Sequence, residues 1–372
     1  MADFFFFGTL CHAPLLAEVL GRKADSQPAK LSGFAGYWAE GRAFPLLVAE
    51  AGAVTEGVLV SGLTPRDIER LDFYQGGFAR ATQEVQVTAG KSRVTARAYF
   101  AADKQWQPGA PWVLADWQGR FGPAVVATAR EIMAQYKVRP AQAVLARYPQ
   151  MLAKGAARVR AAQTAPATLR RKMGKGDVQA VQRSEPYARY FAVEEQDLRF
   201  RRFDGQMSAP VNRAAFVSGD AVTVLPYDPV RDRVLLVEQF RFGPHVRGDA
   251  NPWQLEAIAG RIDPGETPEQ AAIREAQEEA GLTLTRLVPI GGYYPSPGTS
   301  AEFLYSYIAL VDLPDEAAGV FGLAAEAEDI RGHLVGFDAL MGLCASGEAG
   351  NAPTLLSALW LARERAGLRG NP

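Results

Sequence analysis

Residues 260–282 read GRIDPGETPEQAAIREAQEEAGL, and the stretch divides into a loop, a helix and a stop. Gly260, Asp263, Pro264 and Gly265 break any strand that precedes them. Thr267 suits an N-cap, Pro268 the first helical position, and Gln270 completes a Thr-x-x-Gln capping box. The helix then runs to Gly281, a natural residue just past a C-terminus. Inside it, Glu275, Glu278 and Glu279 are three and four residues apart, which puts their carboxylates on one face. Arg274 precedes Glu278 by four residues, so it is placed to pair with it and hold it ionised.

Three like charges on one helix face repel each other. A solvated acidic face is the common meaning of a Glu-rich helix, but such faces usually intersperse Lys or Arg. Clustered carboxylates become favourable around a hard divalent cation, and oxygen-rich sites suit Mg²⁺ or Mn²⁺.

The stretch resembles the box of the Nudix hydrolases, G-x5-E-x7-R-E-U-x-E-E-x-G-U, where U is aliphatic. Gly260, Glu266, Arg274-Glu275, Glu278-Glu279 and Gly281-Leu282 fall on its fixed positions. Ala276 departs from it only in being smaller than the usual aliphatic residue. The resemblance implies metal-assisted cleavage of a nucleoside diphosphate linked to another group. It implies Glu275 and Glu279 as metal ligands, with Glu278 as a third ligand or support and the carbonyl of Ala259 completing the sphere. Arg274 then orients the carboxylates, and Glu266 braces the loop.

Substrate choice lies outside the box. Pro297, sixteen residues after Gly281, sits in Ser296-Pro297-Gly298 ahead of Glu302. This placement resembles the ADP-ribose pyrophosphatase subgroup. Glu238-Gln239-Phe240-Arg241 is similar to the segment whose Arg reaches the diphosphate, and Arg213, after Asn212, matches a substrate-contacting position. GLAAEAEDIRGHLV (322–335) resembles a late loop that supplies a catalytic Glu, a role that both Glu326 and Glu328 fit. The implied reaction is hydrolysis of ADP-ribose to AMP and ribose 5-phosphate with Mg²⁺ or Mn²⁺. The subgroup also implies a homodimer with exchanged strands, in which residues near 190–215 complete the partner's site. Other readings are a Nudix enzyme for another sugar nucleotide such as GDP-mannose, a bifunctional enzyme, and an ADP-ribose sensor. The intact acidic cluster argues against the sensor.

Toward the start, four consecutive Phe (4–7) read as a buried strand, followed by a turn at Gly8-Thr9 and a helix over 14–20. Phe7-Gly8-Thr9-Leu10 resembles the Tyr-Gly-Ser-Leu loop of the gamma-glutamylcyclotransferase-like (AIG2-like) family, whose backbone holds a gamma-glutamyl group. That family carries a catalytic Glu in Leu-Asp-x-Tyr-Glu-Gly. Here the run is Leu71-Asp72-Phe73-Tyr74-Gln75-Gly76, and an amide exchanges no proton at physiological pH. Glu69 is out of register to replace it. The expectation is a non-catalytic pocket or a scaffold.

Residues 123–180 are rich in Ala, Lys and Arg, with helices expected over 124–136 and 141–154. Aromatic residues are not interleaved as a nucleic-acid stacking surface requires, so the segment reads as a basic helical connector. Composition agrees with a globular protein: the chain has 372 residues, 48% of them hydrophobic, and a formal charge of −1. That balance gives no electrostatic case for nucleic acid or a membrane surface. Cys11 and Cys344 match no metal or redox spacing, no run reaches the length of a membrane span, and the cytoplasm is the expected compartment.

The expected architecture is α/β (α+β). A small mixed, barrel-like cyclotransferase-type domain occupies 1–122, the connector 123–184, and a Nudix α/β/α sandwich on a mixed sheet 185–372. In the last, a hairpin over 220–242 precedes a single strand at 253–260, and 353–365 forms an amphipathic helix.

Overall fold

The structure, a computed structural model, describes residues 1–78, 80–101, 106–163, 166–323 and 328–370. The chain divides into two compact units, Met1–Thr168 and Leu169–Pro372.

The first unit is built on a closed barrel. Strands β1 (Ala2–Phe6), β2 (Gln27–Ala39), β3 (Pro45–Leu63), β4 (Arg80–Ala89) and β5 (Ser92–Ala101) pair in the order β3-β1-β5-β4-β2, and β2 pairs back onto β3. A short β6 (Pro108–Pro111) adds to β2. Only the β1–β5 pairing is parallel among these described strands. Successive strand residues face opposite sides, so a run of four buried Phe needs cover on both faces. Phe5 and Phe7 pack with Leu31, Leu59, Val87 and Ala98 of the barrel lining. Phe4 and Phe6 pack outward with Leu15, Leu71, Trp117 and Ile132. Those residues come from α1 (Ala13–Leu20), α2 (Pro65–Gly76), α3 (Leu114–Arg120) and α4 (Gly122–Ala134).

The expected connector over 123–184 is divided between the units. Helix α4 and the pair α5 (Ala141–Leu145) and α6 (Tyr148–Ala161) bury Val125, Ala129, Ile132, Val144 and Met151 in the same core as Phe4. Beneath the basic composition lies an apolar stripe. Some of the charge is internal: Glu131 of α4, 8% exposed, accepts from Arg158 and lies 3.5 Å from Lys154 of α6. The helix expected over 141–154 is interrupted between α5 and α6.

The second unit carries the expected mixed sheet. Its strands are β10 (Ala221–Asp228), β11 (Arg233–Phe240), β12 (Trp253–Glu256), β13 (Ile258–Arg261), β14 (Arg286–Tyr293), β15 (Leu304–Leu310), β16 (Val320–Phe321) and β17 (Ile330–Gly336). They run β14-β15-β10-β11-β17-β16, with β12 on β11 and β13 on β10. Val222, Val224, Leu235 and Val237 face one side, against helix α8 (Pro268–Ala280). Leu225, Tyr227, Val234 and Leu236 face the other, with Leu340 of α9 (Phe337–Ser346) and Ala358 and Leu361 of α10 (Ala352–Gly370). A short α7 (Phe242–Arg247) follows β11. A separate three-stranded sheet comprises β7 (Val178–Ala188), β8 (Ala192–Phe200) and β9 (Val211–Val217).

The strand expected at 253–260 is two. After the turn at 228–233, β10 and β11 diverge, and 253–256 pairs with β11 while 258–261 crosses to β10. At the crossing, the Ala257 amide donates to the Thr354 hydroxyl of α10 at 2.9 Å. Among the described residues no helix is long and apolar enough to cross a membrane, and both cysteines are free thiols.

Candidate active site

The loop after β13 and helix α8 form as their residues dictate. The Thr267 hydroxyl accepts from the Gln270 amide at 3.2 Å, and Gln270 Oε1 accepts from the Thr267 amide at 2.9 Å. Gly281 closes the helix at φ +62°, where its amide reaches Gln277 and the Leu282 amide reaches Ala276, each at 3.0 Å. This capped segment directs its acidic face at a cavity of about 390 Å³.

Arg274 organises that face. Its Nη1 donates to Glu275 at 2.7 Å and Glu278 at 2.9 Å, and its Nε and Nη2 hold Glu266 at 3.0 Å each. Glu266 also accepts from the Asp263 amide at 3.2 Å, and Arg274 Nη2 caps the Arg261 carbonyl at 2.9 Å. Glu279 is 2% exposed, accepting from the Ala259 amide at 3.1 Å and the Gln239 amide group at 3.4 Å. Burial pushes Glu279 up to about 8; the Ala259 bond opposes the shift, and nearby Glu275 and Glu328 add to it. Burial likewise pushes Glu275 up to about 7 against Arg274, with Glu278 and Glu328 adding to the rise.

Among the described residues no three acidic, His or Cys side chains already converge as a finished cation cage. The donors nonetheless fit a hard divalent cation. Two carboxylates four residues apart, Glu279 buried and Glu275 partly so, face one cavity, and burial disfavours the charge of each. Gly260 provides the space, because a Cβ there would overlap the Glu275 carboxylate.

Around this centre the structure gathers some expected residues and leaves others out. Arg241, Ala259, Glu302 and Glu328 line the cavity. Arg241 Nε is bonded to Glu256 Oε2 at 2.7 Å, and burial raises Glu256 against that pairing. Glu302 is raised by burial, with Ser218 3.4 Å away opposing and Asp220 adding to the rise. Glu328 accepts from the Leu323 amide at 3.1 Å, whereas Glu326 lies outside the described residues. Arg213 and Pro297 do not line the cavity. Arg213 is an exposed residue of β9 whose Nη1 donates to the Asn212 carbonyl at 2.7 Å. Pro297 lies in a turn closed by Ser296 and Thr299. Arg261, Thr223 and Pro353 also line the cavity and were not anticipated, because each comes from an element outside the acidic face; Tyr190, from the segment expected to complete a partner's site, lines the cavity of its own chain. His333 of β17 pairs with Glu238 at 2.8 Å.

In the first unit, only Thr9 and Gln75 of the five anticipated pocket residues line the corresponding cavity, beside Tyr74, Phe78, Arg80 and Tyr148. Phe7 and Leu10 are core residues, and a Cβ on Gly8 would overlap Pro45. The cavity is about 10 Å³, room for about one water. Tyr148 of α6 packs edge-on against Phe78 at 4.9 Å, and Gln75 is 6% exposed. Glu69 bonds the Tyr136 hydroxyl at 2.8 Å and does not line this cavity. His12 meets Gln118 at 3.2 Å.

Comparison with known proteins follows the same division. The NUDIX domain model matches residues 217–356, and the gamma-glutamyl cyclotransferase, AIG2-like model matches 4–119. An ADP-ribose pyrophosphatase of Escherichia coli (strain K12) is 40% identical over 188 residues, which span 50% of this chain and 89% of that protein. One from Haemophilus influenzae is 34% identical over 187 residues, 50% of this chain and 86% of that protein. A GDP-mannose pyrophosphatase of Yersinia pestis (strain Pestoides F) is 36% identical over 97 residues, 26% of this chain and 48% of that protein.

Proposed function

We propose, since this chain belongs to the Nudix hydrolase family, that its second unit hydrolyses ADP-ribose to AMP and ribose 5-phosphate with Mg²⁺ or Mn²⁺. The observation that carries this reading is the pair Glu275 and Glu279, whose charge burial disfavours, facing a cavity of about 390 Å³. Glu275, Glu279 and the Ala259 carbonyl would hold the cation, with Glu278 as a further ligand. When bound, the cation supplies neutralisation of diphosphate charge and a more acidic water.

The chain's own groups do the rest. Arg274 fixes Glu275 and Glu278 through one nitrogen. Arg241 binds the diphosphate, and Glu302 accepts hydrogen bonds from sugar hydroxyls. A late-loop carboxylate, Glu328 or Glu326, takes the proton from the attacking water. Arg213 contributes to a homodimer's composite site. Residues 1–168 serve as a non-catalytic scaffold in the cytoplasm, in keeping with Gln75 and the filled cavity.

The test is AMP release from ADP-ribose and Mg²⁺ by the full chain beside Glu279→Gln. Removal of one buried carboxylate is expected to lower kcat by roughly a hundredfold or more. Retained activity in that variant would sink the assignment of Glu279. GDP-mannose is the second substrate to include, because a relative named for it aligns over part of this chain. Turnover of GDP-mannose without turnover of ADP-ribose would replace the substrate and keep the chemistry.

A further inference from the structure

Three arginines line the cavity of the second unit, and they are held differently. Arg274 is bonded to Glu266, Glu275 and Glu278, and Arg241 to Glu256. Arg261 pairs with no carboxylate among the described residues. Its guanidinium carbon instead lies 4.4 Å from the centre of the Tyr190 ring.

The backbone beneath Arg261 is pinned. It ends β13, opposite Ala221 of β10, and its carbonyl accepts from Arg274. Tyr190 sits at the tip joining β7 to β8 and is 57% exposed, so its ring is not there to fill a core. It packs edge-on against Phe191 at 4.7 Å, and Phe191 leans on Phe216 at 4.6 Å. A guanidinium over an aromatic face keeps its N–H edges available for bidentate contact with phosphate oxygens. Arg241 must share its donors between Glu256 and a ligand, whereas Arg261 has no carboxylate to leave among the described residues. In a cavity whose charged lining is mostly acidic, that makes Arg261 the cation most available to an anionic group.

We propose, resting on the diphosphate-hydrolase reading above, that Arg261 is a substrate-binding residue for the diphosphate of the nucleotide and that Tyr190 positions it. Steady-state hydrolysis of ADP-ribose in saturating Mg²⁺ tests both parts. Arg261→Met keeps the apolar stem and is expected to lower kcat/KM by roughly tenfold to a hundredfold, mostly through KM, the scale of hydrogen bonds to a charged group. Arg261→Lys restores part of the loss. Tyr190→Phe loses less than Tyr190→Leu, because the ring and not the hydroxyl faces the guanidinium. Tyr190→Leu loses about fivefold, and combined with Arg261→Met it adds little further loss.

Wild-type kcat/KM in Arg261→Met overturns the assignment of Arg261. A Tyr190→Leu loss that adds in full to that of Arg261→Met overturns the positioning role, since it marks a ring that contacts substrate independently. If the wild-type chain releases no AMP, the functional reading fails, and calorimetry with ADP and Mg²⁺ then judges Arg261 separately. Weaker ADP binding by Arg261→Met supports the assignment; equal binding, or none by the wild type, overturns it.

Discussion

Glu256 is the residue through which Arg241 is presented. Its carboxylate is pushed up by burial, and the bond to Arg241 at 2.7 Å counters that shift. The Glu256→Gln variant keeps the shape and removes the charge. It is expected to leave the guanidinium without its anchor, outweighing the donor released, and to raise KM for ADP-ribose about threefold to tenfold while leaving kcat within about twofold, on the scale of a charged hydrogen bond. An unchanged KM in steady-state assays would detach Arg241 from substrate binding. The acidic face of α8 was legible because its chemistry occupies consecutive turns of one helix. Glu256, Arg261 and Tyr190 were not. The register that brings Glu256 near Arg241 depends on β12 pairing with β11, and Tyr190 reaches Arg261 from a different sheet. Glu302, singled out by its place after a Pro-rich turn, lines the cavity, whereas Pro297 in that turn does not.

At the scale of elements, α10 shows how a long C-terminal helix is fastened. Asp232, in the turn between β10 and β11, accepts from Arg365 Nε at 2.8 Å and the Tyr227 hydroxyl at 2.7 Å, and lies 2.6 Å from Arg369. The Arg365 bond, against partial burial, holds its carboxyl down to about 2 from 3.8. The stability linked to that shift is present above pH 3.8 and is lost as the pH falls through about 2. The Asp232→Asn variant tolerates the positive φ of 56° and removes the charge. It is expected to lower stability by about 1–2 kcal/mol near pH 7, after allowance for solvent screening. Urea titrations at pH 7 and pH 2.5 check this; a deficit of equal size at both would show that charge is not the cause. Helix boundaries around Thr267 and Gly281 were readable because capping is local. The helices over 122–161 were misjudged as a connector because composition reports charge on the exposed face and conceals a buried stripe.

For the whole molecule, each unit possesses its own core: among the described residues, every hydrophobic cluster lies within one unit. Expressed alone, residues 169–372 are therefore expected to fold and to hydrolyse ADP-ribose with kcat within about threefold of the full chain. A fragment that folds, shown by circular dichroism, yet loses turnover would assign residues 1–168 a direct part in catalysis. The barrel was legible from its Phe run and from the family resemblance of the loop that follows it. The division of the middle segment was not, because it is set by which core each apolar residue finds.

The crossing at Ala257 has a further consequence. Within six consecutive residues the chain supplies the support for Arg241, the Ala259 backbone, the glycine that makes room for Glu275, and Arg261. Two different sheet neighbours dictate which side each residue faces, and one tether to α10 fixes where the exchange occurs. Lengthening or shortening this segment by a single codon would put every later side chain out of phase with its wall. Its length, more than most of its letters, is what heredity has to preserve.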